Sequence, residues 1–99
     1  MKVAITLAEL KQLLEKKENI MLIDVRNKEE YFEDHIPFAC NLPIEIIESG
    51  NFIPEHYKTI ITICGEGGGR SARAANYLRE NNTNEIYFLE GGTFGWFEE

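Results

Sequence analysis

Apolar positions along the chain follow two periods, and each period predicts its own kind of element. Ile20-Met21-Leu22-Ile23-Asp24-Val25 and Thr59-Ile60-Ile61-Thr62-Ile63 are near-continuous apolar or β-branched runs, the pattern of strands buried on both faces. Glu85-Ile86-Tyr87-Phe88-Leu89 predicts a last strand, and Val3-Ala4-Ile5 a short edge strand. Helical spacing fills the gaps. Leu7, Leu10, Leu13 and Leu14 form one stripe, predicting a helix from 7 to about 16 behind the capping box Thr6-Leu7-Ala8-Glu9. Asn27-Lys28-Glu29-Glu30 repeats the capping logic ahead of a short helix with Tyr31 and Phe32. Pro43 suits the first position of a helix over Ile44 to Glu48, which Gly50 can stop. Ala72, Ala75 and Leu78 predict a helix from Ser71 to Glu80, with Arg73 and Arg79 facing water.

The remainder reads as connections. Asp34 to Pro43 is a loop or short strand punctuated by prolines, and Asn51 to Lys58 a loop anchored by Phe52 and Ile53. Gly91-Gly92 turns the chain into a terminal segment in which Trp96 and Phe97 pack. Strands alternating with helices imply an α/β fold, with a parallel-rich central sheet flanked by helices on both faces, in a single domain over 1–99. Ligands of such sheets bind beyond the strands' carboxyl ends. Asp24, Arg26 and the residues after Ile63 fall there.

Charge and composition narrow the partners. A net charge of −7 argues against a nucleic-acid surface and means that any anion site must work through local dipoles and arginines. No apolar run approaches the ~18 residues of a membrane span, and Met1 to Thr6 lacks a signal-peptide core. Two cysteines, Cys40 and Cys64, are too few for a disulfide framework and lack metal-site spacing. The expectation is a reducing compartment, most simply the cytoplasm, with no metal and no cofactor. The runs Glu15-Lys16-Lys17-Glu18 and Asn27-Lys28-Glu29-Glu30 read as solvated helix faces and nothing more.

The candidate chemistry lies in Cys64-Gly65-Glu66-Gly67-Gly68-Gly69-Arg70-Ser71. A cysteine at a strand's end is followed by glycines free to take positive φ, and then by a helix start. Main-chain N–H groups can thus ring the sulfur, and the positive end of the helix lowers its pKa. Such a site holds a thiolate nucleophile where an anion is wanted. Arg70 can orient an anionic donor, because a guanidinium fork matches oxyanions, and Arg73 one turn on can either assist or be purely solvated. Glu66 reads as a solvated loop carboxylate and His56 as a surface residue. Cys40 is a buried thiol, with a resolving partner for Cys64 as its functional alternative.

These residues resemble a known family. Leu22-Ile23-Asp24-Val25-Arg26, Glu30-Tyr31, and His35-Ile36-Pro37 with Ala39, Asn41 and Pro43 look like the N-terminal signature of rhodanese-like domains. The Cys64 loop with Arg70-Ser71 and Ala74-Ala75 looks like their active-site loop, and Leu89-Glu90-Gly91-Gly92 with Trp96 like their closing motif. The resemblance implies that Cys64 carries sulfane sulfur as a persulfide and that the amides from Gly65 to Arg70 stabilise its anionic sulfur. It gives Asp24, Arg26 and His35 structural roles. The implied function is a sulfurtransferase, moving sulfur from thiosulfate or a low-molecular-weight persulfide to a thiol or cyanide.

The sequence departs from the family pattern at two places. The five residues between Cys64 and Arg70 are one more than most sulfurtransferases of the family carry. That length resembles rhodanese-related phosphatases and arsenate reductases, although Ile63 replaces the histidine usual before their cysteine, and Glu66 repels a dianionic phosphate. Phosphatase or arsenate reductase activity is therefore one alternative, and a non-catalytic binding or sensing module another. The family also commonly has glycine where this chain has Asp34 and Phe38, so those turns must form without glycine's freedom.

Overall fold

The computed structural model describes residues 2–52 and 56–98. Five strands, β1 (Ala4–Ile5), β2 (Ile20–Asp24), β3 (Cys40–Asn41), β4 (Thr59–Ile63) and β5 (Glu85–Leu89), form one sheet in the order β1-β5-β4-β2-β3. Every pairing is parallel, and the register sets Asp24 beside Ile63 and Thr62 beside Phe88. The central β4 is buried along its whole length, as its β-branched run predicts. Helices α1 (Leu7–Glu15), α2 (Lys28–Glu33), α3 (Ile44–Glu48), α4 (Arg70–Asn81) and α5 (Gly92–Glu98) make the connections.

Strand alternation divides the core between two faces. On one face Ile23, Ile60 and Ile86 meet Ile44 and Ile47 of α3 and Ala74, Ala75 and Leu78 of α4. On the other, Leu22, Ile61, Ile63 and Leu89 meet Leu10 of α1, Ile36 and Ala39, with Trp96 packed against them. Continuing the alternation past Ile61 and Ile63, Thr62 and then Cys64 fall on the α4 face. Cys64 joins the cluster there, and the Thr62 hydroxyl donates to the Ser71 carbonyl oxygen at 2.7 Å.

Both predicted capping boxes form, Thr6 with Glu9 and Asn27 with Glu30. Pro43 stands one place earlier than expected, as the N-cap of α3. The α4 stripe also differs from the predicted one. Its buried residues are Ser71, Ala74, Ala75 and Leu78, spaced i, i+3, i+4 and i+7, whereas Ala72 is only half-buried. Arg73 faces water, but Arg79 donates to the Ile86 carbonyl oxygen at 2.9 Å. The terminal segment is a helix, and Phe97 points outward at 53% exposure instead of packing. Ile53 lies outside the described residues.

The two positions expected to need glycine behave differently. Asp34 is extended (φ −163°), a conformation open to any residue. Phe38 sits at φ 73°, in the left-handed region that side chains disfavour, with its ring 84% exposed.

Candidate active site

Cys64 follows β4 at the carboxyl edge of the sheet and is nearly buried, at 5% exposure. Two contacts fix the backbone beneath it. The N–H groups of Thr93 and Phe94, at the start of α5, donate to the carbonyl oxygens of Cys64 (2.9 Å) and Gly65 (3.0 Å). So close an approach needs Gly92, at φ 55°, because a Cβ there would overlap those same carbonyls. Gly67, at φ 81°, fits equally tightly against Leu89 and Gly91. The Leu89-Glu90-Gly91-Gly92 segment thus buttresses the cysteine loop. Gly68 also has positive φ, but Gly69 does not; it is the N-cap of α4 at φ −75°.

The sulfur meets the first turn of α4. Cys64 Sγ lies 3.1 Å from Ser71 Oγ, which accepts from the Gly68 N–H at 3.2 Å. Burial by itself would push the Cys64 thiol up. The Ser71 hydroxyl, together with the main-chain N–H groups of Ser71, Gly67 and Gly68, outweighs it and leaves the pKa below that of an ordinary thiol. Gly67 and Gly68 belong to the expected span of amides from Gly65 to Arg70, the Ser71 N–H lies just beyond it, and the Ser71 hydroxyl joins them. In the sequence Ser71 reads only as part of the helix start that closes the candidate run, with no role at the sulfur. Its signal was a serine on the buried stripe of a helix that also starts the anion cradle.

Above the sulfur opens a cavity of about 330 Å³, lined by Cys64, Gly65, Glu66, Gly67, Gly69 and Arg70 of the loop, by Glu30 of α2 and by Phe94 of α5. Arg70 does not point its fork into empty space. Its Nη1 and Nη2 donate to Glu30 Oε1 and Oε2 at 2.7 and 3.0 Å, a bidentate pair. Hydrogen bonds from Arg70, aided by the Asn27 N–H and opposed by partial burial, hold the Glu30 carboxyl down to about 2. Glu30 is thus more than a solvated helix residue, since it caps α2 and reaches across to α4 at once.

Arg73 is not part of this lining. It pairs with Glu48 of α3 at 2.8 and 2.6 Å on the protein's surface. Glu66 lines the cavity and is exposed, as expected of a loop carboxylate.

The residues expected to give structural support form a separate network. Asp24 and Arg26 are a buried ion pair, with Arg26 Nη2 2.9 Å from Asp24 Oδ2. Arg26 also donates to the Asp34 carbonyl oxygen at 2.7 Å. Asn41 Nδ2 closes the knot on the carbonyls of Asp24 and Arg26. His35 stacks on Tyr31 and donates through Nδ1 to the Tyr31 carbonyl oxygen at 2.9 Å, while Tyr31 donates to the Ala39 carbonyl. This network fixes the loop after β2, and with it the helix that presents Glu30. Cys40, a free thiol like Cys64, is half-buried with its Sγ 3.5 Å from the Leu22 carbonyl oxygen. Burial raises its pKa. His56 is exposed.

Among the described residues there is no cluster of three or more metal-ligating side chains, and no helix is long and apolar enough to cross a membrane. Comparison with known proteins extends the picture. A family model for the rhodanese-like domain matches residues 6–99. The thiosulfate sulfurtransferase GlpE of Pseudoalteromonas translucida is 32% identical over 92 residues, covering 93% of this chain and 86% of that protein. Two other curated relatives are longer, and the chain spans 47% and 59% of their lengths. Among solved structures, the human single-domain sulfurtransferase TSTD1 superposes with a TM-score of 0.86 at 24% identity, covering 100% of this chain and 98% of that one. A rhodanese homolog from Thermus thermophilus does so with a TM-score of 0.72 at 30% identity, covering 95% and 99%. With a five-stranded parallel sheet, a cysteine loop at its carboxyl edge and these relatives, the chain belongs to the rhodanese-like domain family.

Proposed function

We propose that this protein is a sulfurtransferase that carries sulfane sulfur on Cys64. The observation that supports this reading best is the collar around Sγ, where the Ser71 hydroxyl 3.1 Å away and main-chain N–H groups including those of Gly67, Gly68 and Ser71 favour the thiolate despite its burial. A thiolate attacks the outer sulfur of a donor such as thiosulfate or a low-molecular-weight persulfide. The donor's S–S bond breaks, its electron pair leaves on sulfite or a thiolate, and a new S–S bond forms on Cys64. The same collar then serves the terminal sulfur of the persulfide. An acceptor thiolate, or cyanide in an assay, attacks that sulfur and releases the Cys64 thiolate, giving a two-step exchange without a cofactor. Under this reading Asp24, Arg26 and His35 act as positioning residues, and the cytoplasm supplies the reduced thiols that the second step consumes.

Phosphate or arsenate chemistry fits the cavity less well. A tetrahedral oxyanion needs the Arg70 fork, and Glu30 occupies it. Intact-mass analysis separates the readings. Protein exposed to thiosulfate or a persulfide is expected to gain one sulfur atom on Cys64, to lose it to cyanide or a thiol, and to gain none as Cys64→Ser. Absence of added sulfur with every donor, alongside turnover of an aryl phosphate, would overturn the proposal.

A further inference from the structure

The charges around the cavity bear on which donor it accepts. Glu30 and Glu66 both line it, and among the described residues Arg70 is the one cation in the lining. Both guanidinium nitrogens that face Glu30 are committed to its carboxylate. Glu66, two residues from the nucleophile, has no ion-pair partner among the described residues. Arg73, the next cation along α4, is held by Glu48 outside the lining. An incoming donor therefore meets an uncompensated carboxylate as well as the thiolate itself, and a dianion is repelled by both.

The opposite wall has a different character. Phe94 is 47% exposed and lines the cavity, its ring lying over Gly65 so closely that a Cβ there would come within 3.1 Å of it. An inorganic anion has no use for that surface. The carbon chain of an organic thiol can pack on it.

We propose that the cavity selects its donor by charge, taking sulfur from an organic persulfide whose carrier bears no net negative charge, with Glu66 as the specificity-determining residue. This rests on the sulfur-transfer reading above and names its substrate class. In the step itself, the Cys64 thiolate attacks the outer sulfur of R–S–SH. The donor's S–S bond breaks as the new S–S bond to Cys64 forms, R–S⁻ leaves and takes up a proton from water, and Cys64 keeps the –S–SH group. Two sulfur–sulfur partners are exchanged with no net oxidation.

The test is single-turnover loading of Cys64, followed by intact mass, with thiosulfate and with cysteamine persulfide, whose carrier is a cation. Replacing Glu66 by Gln should speed loading from thiosulfate by about five- to tenfold while slowing or leaving unchanged loading from cysteamine persulfide. Glu66→Lys should widen the change in that ratio, and added salt should accelerate the thiosulfate reaction of the wild type. If Glu66→Gln leaves the ratio of the two rates unchanged, the charge inference is overturned while sulfur transfer stands. If neither donor loads Cys64 in any variant, the sulfur-transfer reading itself fails.

Discussion

Glu30 and Arg70 stand forty residues apart in the chain and meet through two parallel hydrogen bonds at the mouth of the Cys64 cavity. The pair ties α2 to α4 and neutralises two of the three charged side chains in the cavity lining, leaving Glu66 with no ion-pair partner among the described residues. It also makes stability depend on acid in a definite direction. Hydrogen bonds from Arg70 lower the Glu30 carboxyl to about 2, against about 4.3 in an unfolded chain. Its contribution is thus fully present above the unfolded value and is lost as pH falls through the folded one.

Glu30→Gln removes the charge yet keeps a side chain able to complete the capping box. Urea unfolding should show the wild type more stable than this variant at pH 6, with the gap closing between about pH 4.3 and 2. The gap should be small, since both partners are over a third exposed. A gap that does not change with pH would place the contribution of Glu30 in packing instead of charge.

Ser71 is the side chain that the Cys64 sulfur touches. Ser71→Ala removes that hydrogen bond and should shift thiolate formation to higher pH. Alkylation of Cys64 on the acid side of its titration should slow by about threefold to tenfold, with little change at high pH where both proteins are ionised. Equal slowing at every pH would mean that access to the sulfur has changed instead of its ionisation.

Phe38 holds positive φ with its side chain in water. An L-residue there costs about 1–2 kcal/mol, and glycine removes that strain while adding unfolded-state entropy of about 0.5–1 kcal/mol. Phe38→Gly should therefore raise the unfolding free energy by about 0.5–1 kcal/mol. Chemical denaturation is the check, and a loss of stability would show that the ring makes compensating contacts.

Most of the fold was legible in the sequence because its signals are local. The β-branched run at Thr59–Ile63 and the two capping boxes specify their elements almost residue by residue. The cysteine loop was legible for the same reason, since cysteine, glycines and helix start are contiguous. What escaped depends on partners distant in sequence. Glu30 read as a capping residue because nothing nearby marks Arg70 as its second partner. Ser71 was hidden by its polarity, which masked the true buried stripe of α4, and Phe94 became a cavity wall only through the docking of α5 under the loop. Arg73 is the opposite case. Helical spacing set it one turn from Arg70, but Glu48 on α3 holds it outside the cavity lining.

The central claim is that Cys64 is a thiolate held by its collar, and the two cysteines provide an internal comparison. Site-resolved alkylation of both, followed by peptide mass analysis across a pH series, tests it most directly. Cys64 should react with a midpoint below that of a free thiol, while Cys40, raised by burial, should lag behind one. A Cys64 midpoint equal to a free thiol's, or one above that of Cys40, would contradict the account.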